Sequence, residues 1–259
     1  MTLPPVPEPF YWSQASWGAE LRCRALDAVA AHLFTTRQLE LSGPRDWVRV
    51  GEALGVSEVV TLTQVHGRRV VVVRRGAPRP SGHPEADVVV SDDPGVAVAV
   101  RAADCVPLLL ADPATGAVAA IHAGWRGTAA GAAPAAVEAL EHEFGSKPGD
   151  LIAAIGPSIG PCCYEVGTEL VDAFAAARHP RHLIDRWFLA PPPPRGSRER
   201  PTLRLDVAGA NRDQLLLAGV LEPNIHMSGL CTAMHLDVLT SYRAERAKAG
   251  RIAGVIRPL

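Results

Sequence analysis

Two histidines and one cysteine, each beside the end of a strand-like run, are the side chains of this sequence best suited to metal chemistry. They are His66 in Thr61–Gly67, Cys105 in Ala103–Pro107 and His122 in Ile121–Gly127. Two imidazoles and a thiolate suit a tetrahedral zinc ion whose fourth position stays open for water or substrate, as in catalytic zinc sites. Their wide separation argues against a local zinc finger and predicts a site assembled by the fold.

The predicted elements allow these side chains to converge. If Val59–Val65 is a strand, Gln64 and His66 point to the same face, because side chains alternate along a strand. Gln64 is therefore a candidate for contacting a substrate. Pro107 indicates that Cys105 lies at a strand corner, since proline avoids central ladder positions. Strand ends that feed loops are where α/β proteins place their sites.

A glycine-rich turn offers a place for an anion. Gly124–Thr128 leads into an alanine-rich helical segment, and the N–H groups at a helix start suit a phosphate. Arg126 can add a bidentate contact. Ser241 and Arg243 point to the same side if their segment is extended. Arg37 ends a short apolar run, and all three are candidates for contacting a substrate. The alternative for each arginine is an ordinary surface charge.

The alternative for the metal site is a chance arrangement. The chain has nine histidines and five cysteines, and an isolated buried cysteine more often packs than reacts. The odd cysteine count suits a reducing compartment, and the adjacent Cys162 and Cys163 are predicted to be a free thiol pair. The remaining histidines are predicted to be structural or solvated: His32, His83, His142, His179, His182, His226 and His235.

Composition narrows the class of protein. The 259 residues are 47% hydrophobic and 20% charged, with a net charge of −1. This is a globular composition that gives no electrostatic reason to expect nucleic acid or an anionic membrane as a partner. The first residues lack the basic and apolar segments of a secretory signal, and no apolar run approaches the roughly 20 residues that span a bilayer. We expect a cytoplasmic protein.

Strand-like and helical patterns alternate along the whole chain, which predicts one α/β domain over residues 1–259. Residues 1–20, rich in proline and aromatic residues, are predicted to wrap over the surface. His179–Pro201 contains four consecutive prolines and is predicted to be an irregular surface excursion. Asp206 is predicted to cap a helix that runs to Leu217. The predicted strands are Val59–Val65, Arg69–Arg74, Asp87–Ser91, Val96–Arg101, Val106–Ala111, Ala117–His122, Leu151–Ile155, Asn224–Met227 and Arg251–Ile256.

Taken together, the motifs resemble the laccase-domain family, long labelled polyphenol oxidase and later described as purine nucleoside phosphorylases with adenosine deaminase activity. In chain order they are Thr63–Gly67, Ala103–Pro107, His122–Gly127, Ile155–Gly160, Tyr164–Gly167, Cys231–Thr232 and Ser241–Arg243. The resemblance implies a single α/β sandwich domain of mixed sheets with flanking helices. It also implies a zinc ion on His66, Cys105 and His122, and purine nucleosides as substrates. The family also includes peptidoglycan-editing factors with a proposed amidase role.

The chain departs from the family pattern in two places. Members usually follow the early Thr-Arg with a Gly-Gly-Val-Ser type loop, whereas Thr36-Arg37 is followed here by a different, shorter-looking segment at 38–43. After Ser-Tyr-Arg, members usually show Arg and then Asp, and this chain has Ala244 and Glu245. Both changes fall where substrate contacts are expected, so they bear on substrate preference and leave the metal prediction unchanged.

The chemistry implied by the resemblance needs a proton carrier and an anion site. Zinc lowers the pKa of bound water from about 15.7 toward 7. In deamination the resulting hydroxide attacks C6 of adenosine while a carboxylate, Asp104 or Glu165, passes the proton to the leaving ammonia. Asp104 suits this role only if 103–107 is bent. In phosphorolysis, phosphate attacks the ribose C1′, and Arg126, Arg37 or Arg243 can hold the anion.

Three other functions stay open. A metal-free hydrolase or amidase acting on a cell-wall precursor would use Cys105 as nucleophile and His122 as base. A copper-dependent polyphenol oxidase of the four-copper type needs paired His-x-His motifs, and the sequence has none. A protein that only binds a partner would keep its biological effect in Cys105→Ala.

Overall fold

The computed structural model describes residues 2–190 and 202–259. In these residues the strands, in chain order, are β1 (Phe10–Ala15), β2 (Gly18–Cys23), β3 (Ala30–Thr35), β4 (Val59–Val60), β5 (Val70–Val73), β6 (Val88–Ser91), β7 (Ala97–Ala102), β8 (Val106–Ala111), β9 (Val118–Ala123), β10 (Ile152–Ile155), β11 (Glu165–Val166), β12 (Phe188–Leu189), β13 (Leu203–Leu205), β14 (Ile225–Met227) and β15 (Ile252–Pro258). The α-helices are α1 (Arg24–Asp27), α2 (Pro44–Ala53), α3 (Trp125–Ala130), α4 (Ala132–Phe144), α5 (Thr168–Ala176), α6 (Arg181–Trp187), α7 (Val207–Leu217) and α8 (Tyr242–Glu245).

Two six-stranded sheets and one small sheet form the framework. The first sheet has the order β1-β2-β3-β15-β7-β4 and the second has the order β14-β10-β8-β9-β6-β5. Both mix parallel and antiparallel pairs: β5 is parallel to β6, and β8 is antiparallel to β9. A three-stranded sheet has the order β11-β13-β12.

The two large sheets pack face to face with helices outside them, because their strands are apolar on both faces. In β8, Leu109 packs into the core between the sheets, whereas Leu108 and Leu110 pack into the core beneath the helices. In β7, Val98 faces the other sheet and Ala99 faces the core beneath α2. Strands buried on both faces show such continuous apolar runs. The predicted mixed-sheet α/β sandwich with flanking helices is therefore confirmed.

Most predicted strands from residue 69 onward are confirmed to within one or two residues, and so is the helix after Asp206. The Asp206 carboxylate accepts a hydrogen bond of 2.8 Å from the Gly209 N–H, which satisfies one of the free N–H groups at the helix start. Three predictions are wrong. Residues 1–20 were predicted to wrap over the surface, but Phe10–Ala15 and Gly18–Cys23 form the β1–β2 hairpin, with Phe10 and Leu21 buried in the core.

The second wrong prediction is the strand at 59–65, which ends at Val60 because the chain turns toward the site. The third is the irregular excursion at 179–201, where α6 and β12 form and Trp187 is buried; residues 191–201 lie outside the described residues. The prediction of one domain over 1–259 stays a prediction. No helix in the described ranges combines the length and apolarity needed to cross a bilayer.

A buried histidine far from any predicted chemistry makes stability depend on pH. The His32 Nε2 accepts the Cys23 N–H at 2.8 Å, and its Nδ1 lies 3.2 Å from the Ala30 carbonyl oxygen. Burial lowers the pKa of His32 to about 4. An unfolded histidine titrates near 6.5, so the unfolded chain gains a proton first as the pH falls from about 6.5 to about 4.

We therefore expect His32 to make the protein lose roughly 2 kcal/mol of unfolding free energy between pH 7.5 and pH 5. The matched variant is His32→Gln, whose amide can keep both backbone contacts without titrating. Urea unfolding of both proteins at pH 7.5 and pH 5 measures the difference. Equal losses in the two proteins would contradict the assignment.

Candidate metal and active site

The three predicted ligands lie together. The donor atoms of His66, Cys105 and His122 are all within 4.8 Å of one another, and the two imidazole centroids are 4.9 Å apart. His122 comes from the end of β9, and Cys105 from the bend before β8. The backbone is left-handed at one ligand, His66 (φ +61°), and at Asp104 (φ +82°), the residue before Cys105. Such conformations are uncommon outside glycine and often mark functional sites.

A carboxylate that the sequence analysis missed orients this group. Asp87 is fully buried, and its Oδ1 lies 2.8 Å from the His122 Nδ1. The same carboxylate accepts the backbone N–H groups of His66 at 2.9 Å and Gly67 at 2.6 Å. This fixes the His122 Nδ1 as a donor and leaves its Nε2 for a metal or for Cys105. Metal-bound histidines usually have such a carboxylate partner. Its only sequence signal was an acid at the start of an apolar strand.

Charge coupling prepares the group to bind a cation. Burial opposes ionisation of Cys105, but hydrogen bonds and charges from His122 and His66 prevail and lower the pKa of the thiol to about 6. Burial likewise opposes protonation of His122, yet hydrogen bonds to Asp87 and Cys105, and their charges, raise its pKa to about 9. Both shifts favour a thiolate–imidazolium pair when no metal is bound. A bound cation would replace the imidazolium proton.

Gly124 gives the cysteine its space. A Cβ at this position would lie 2.6 Å from the Cys105 Sγ and 3.3 Å from the His66 Cδ2. The backbone at Gly124 is extended, with φ −75° and ψ 179°, a conformation that any residue can adopt. A larger side chain is therefore excluded by its contacts with the ligands and not by backbone strain. The glycine of the predicted turn therefore allows the chain to pass directly against the ligands.

Gly124→Ala is expected to weaken metal binding by about 10–100-fold, because the added Cβ must displace the Cys105 sulfur and disturbing the orientation of a ligand has effects of that order. The matched control is Gly43→Ala, where an added Cβ meets nothing within 4 Å and φ is −161°. Competition with a chromophoric chelator measures both affinities. Wild-type affinity in Gly124→Ala would show that the ligand geometry is different.

The ligand group opens into a cavity of about 850 Å³. Five arginines and three aromatic side chains contribute to its wall, which makes it both cationic and able to stack against a ring. They are Arg101, Arg126, Arg243, Arg246, Arg251, Trp125, Tyr164 and Tyr242. The Arg126 guanidinium lies 4.4 Å from the Trp125 ring centroid, and the Arg243 guanidinium lies 5.3 Å from that of Tyr164.

Besides the three ligands, four of the predicted site residues line this cavity: Gln64, Asp104, Arg126 and Arg243. The Gln64 amide is bound at 2.7 and 2.8 Å to the backbone of Arg101, so it also holds that wall in place. Asp104 lies in the bend that its predicted role required. Its carboxylate accepts the Thr232 hydroxyl at 2.6 Å and the Arg243 N–H at 2.5 Å.

The other three predicted substrate contacts lie outside the lining. Arg37 bonds to the Leu236 carbonyl and pairs with Glu245 at 3.0 Å. Glu165 is exposed and lies 3.5 Å from Arg204. Ser241 is fully buried and caps α8 by accepting the Ala244 N–H at 3.2 Å, so its segment is not extended as predicted. Their roles in substrate binding stay predictions; the contacts observed are structural.

The donor set fits a transition-metal ion. Two imidazoles and one low-pKa thiol converge, one imidazole is oriented by a carboxylate, and the remaining side is open to the cavity. Three protein ligands with an open position are typical of catalytic metal sites. The fold and the site thus define an α/β protein with a His-Cys-His metal-type centre at the ends of β8 and β9, the two central strands of the second sheet.

The chain belongs to the family described as multi-copper polyphenol oxidoreductase laccase, whose model matches residues 44–258. A protein of Deinococcus radiodurans named purine nucleoside phosphorylase is 37% identical over 253 residues, covering 90% of this chain and 91% of that protein. Purine nucleoside phosphorylase YlmD of Geobacillus stearothermophilus is 36% identical over 206 residues, covering 76% of this chain and 71% of its own.

Solved structures show the same fold. The Bacillus licheniformis hypothetical protein YfiH has a TM-score of 0.84 and 28% identity, covering 98% of this chain and all of the other. The crystal structure of YlmD from Geobacillus stearothermophilus has a TM-score of 0.79 and 31% identity, covering 96% and 99% of the two chains. The family resemblance predicted from the motifs is therefore confirmed.

Proposed function

We propose that this protein is a zinc-dependent purine nucleoside phosphorylase that also deaminates adenosine. The observation that carries the proposal is the His66–Cys105–His122 group opening into a cavity walled by arginines. Relatives named purine nucleoside phosphorylase, which align over most of this chain, supply the substrate class. The reaction converts a purine nucleoside and phosphate to the free base and ribose 1-phosphate.

Phosphate binding rests on the cationic wall. Arg126 and Arg243 belong to different elements, the start of α3 and α8, and both line the cavity. Arginine pairs with phosphate oxygens through two parallel N–H groups, so two such side chains can orient phosphate for attack on C1′. The leaving purine develops negative charge, which the same cationic environment stabilises.

Purine binding rests on the aromatic side chains. Trp125 and Tyr164 line the cavity near the ligand group, each beside an arginine. Because an arginine lies over one face of each ring, a purine can stack on the other face or on the guanidinium itself. Such stacking contributes about 1–3 kcal/mol per base. The substrate base would therefore lie between the arginines and the metal-type centre.

Deamination needs the ligand group and a proton carrier. A zinc ion held by His66, Cys105 and His122 would supply hydroxide at neutral pH. Asp104 is the better carrier of the two predicted acids, because it lines the cavity next to Cys105 whereas Glu165 does not. Thr232 and the Arg243 N–H hold the Asp104 carboxylate in position, and its remaining lone pairs are available for a proton.

Metal analysis of the purified protein, combined with an assay of inosine and phosphate, tests the proposal. We expect about one zinc per chain at this centre and hypoxanthine release that requires phosphate. Adenosine should yield inosine without phosphate. Hypoxanthine release that is unchanged when phosphate is omitted would contradict phosphorolysis, and full activity after complete metal removal would contradict the role of zinc.

One observation favours a second function. Cys105, with its pKa near 6, lies beside His122, which Asp87 orients. This is the order of groups in a cysteine hydrolase: nucleophile, base and orienting carboxylate. A metal-free amidase acting on a cell-wall precursor would keep its activity in a chelator and lose it on alkylation of Cys105. Protection of Cys105 from alkylation by added zinc would instead favour the metal enzyme.

Copper at the same centre is the remaining alternative. One His-Cys-His group can hold one copper ion, since imidazole and thiolate both bind copper. Four-copper oxidase chemistry needs a trinuclear cluster, and the sequence contains no His-x-His pair to build one. A phenol-oxidation assay of the copper-loaded protein separates this case, and we expect no turnover of a diphenol above that of free copper.

A further inference from the structure

A second cluster of metal-binding side chains lies outside the centre described above. The sulfur atoms of Cys162, Cys163 and Cys231 are all within 4.8 Å of one another. All five cysteines are free thiols. Three sulfurs bound to one ion at about 2.3 Å would be separated by roughly 4 Å in a trigonal arrangement, so the cluster needs little rearrangement to close around an ion.

The local backbone holds the three thiols in position. Cys162 and Cys163 lie in the turn after Gly160, where the Cys163 N–H donates to the Gly160 carbonyl at 3.0 Å. Cys231 reaches them from the segment after β14, which pairs with Ser158 in a parallel bridge. Cys162 is exposed and Cys231 is buried, so an ion can enter from solvent and be held against the protein.

One backbone N–H donates to a sulfur of the cluster, and one positive charge lies beside the cluster. The Gly160 N–H donates to the Cys231 Sγ at 3.2 Å, and hydrogen bonds to sulfur stabilise metal-bound thiolates. Arg204 donates to the Cys162 carbonyl at 2.7 Å, which places its guanidinium beside the cluster. This positive charge would offset part of the negative charge of three thiolates.

We propose that Cys162, Cys163 and Cys231 form a second, all-sulfur metal site for a thiophilic monovalent ion, and that Cu(I) is the ion it selects. Soft thiolate ligands prefer Cu(I). Structural zinc sites are usually tetrahedral with four protein ligands, whereas the described residues supply only three donors in this group. Binding releases the thiol protons and forms three metal–sulfur bonds, with no change in oxidation state.

The competing fate of the same thiols is oxidation to a disulfide. A disulfide needs an oxidant and joins only two of the three sulfurs, whereas one ion can contact all three. The geometry of three donors, rather than two, also distinguishes an ion site from a disulfide pair.

Anaerobic titration of the reduced full-length protein with Cu(I), in competition with bicinchoninate, tests this site apart from the His66–Cys105–His122 centre. The Cys105→Ala variant should keep one tight Cu(I) per chain. Adding Cys162→Ser to that variant should weaken the remaining site at least about 10-fold, since even an indirect partner of a metal ligand has effects of 10–100-fold. Adding Cys23→Ala, a buried cysteine outside both groups, should change nothing.

X-ray absorption of Cys105→Ala loaded with one Cu(I) supplies an independent readout. The shell should contain sulfur only, whereas a residual site on His66 and His122 would show nitrogen. Absence of tight Cu(I) binding in Cys105→Ala, a nitrogen-containing shell, or unchanged affinity after Cys162→Ser would each overturn the proposal. Cys162 is exposed, so its replacement by serine should leave the fold intact; urea unfolding checks this.

Discussion

Cys105→Ala is expected to lower phosphate-dependent hypoxanthine release by on the order of 1000-fold, because a catalytic metal contributes several kcal/mol to the transition state. The variant also loses the thiolate that pairs with His122 and His66. Zinc content at this centre should fall close to zero, because two imidazoles alone leave an incomplete set of ligands. Activity assays and metal analysis on the same preparation measure both effects.

The fold should survive this change, since Cys105 lies at the cavity wall and its side chain is only partly buried. Urea unfolding of the metal-free proteins is the control. Cys23→Ala, which removes a buried thiol that belongs to neither ligand group, should keep full activity and zinc. Cys105→Ala with zinc retained and activity within about threefold of wild type, well inside the effect expected for a lost ligand, would remove Cys105 from the proposed centre.

The ligand set could be predicted from the sequence because each member stands in its own motif beside a strand-like run. Cys105 and His122 lie at the adjoining ends of β8 and β9, as strand-end motifs predict. His66 joins them although β4 ends at Val60, because the chain between Val60 and His66 turns toward the site. The strands of the sheets could be predicted because short apolar runs such as Val106–Ala111 are typical of strands buried on both faces. The prediction rests on local patterns that tertiary structure reinforces.

Asp87 could not be recognised because its role depends on three contacts made by distant residues. Its carboxylate has this role only because the fold brings His122 and the backbone N–H groups of residues 66–67 within hydrogen-bond distance. Similarly, the β1–β2 hairpin depends on pairing with β3, which proline-rich local sequence does not reveal. Long-range contacts override local preference in both cases.

The departure from the family pattern at 244–245 has a structural consequence. Glu245 pairs with Arg37 at 3.0 Å and accepts the Thr240 hydroxyl at 2.9 Å and the Ser241 N–H at 3.0 Å. Burial opposes ionisation of Glu245, but these contacts prevail and lower its pKa. Glu245 thus holds the Arg37 guanidinium in an ion pair outside the cavity, which explains why Arg37 does not line it.

Asp87→Asn is expected to weaken zinc binding by about 10–100-fold, the range for losing a partner that orients a metal ligand. Burial opposes ionisation of Asp87, but hydrogen bonds from His122, Gly67 and His66 lower its pKa, so it is charged at neutral pH. An asparagine offers one acceptor oxygen and places an N–H₂ group against donors. The variant should therefore also lose about 1–3 kcal/mol of unfolding free energy.

Asp112→Asn separates these two effects. Asp112 is also buried and accepts the Ala114 N–H and the Thr115 hydroxyl, both at 2.8 Å, but it lies beyond the other end of β8 from Cys105. It should lose stability by a similar amount and keep wild-type zinc affinity and activity. If Asp87→Asn instead lost only stability, with zinc affinity and the phosphorolysis rate unchanged, His122 would not need its carboxylate. The order of groups proposed for the centre would then be wrong for both the metal enzyme and the thiol hydrolase.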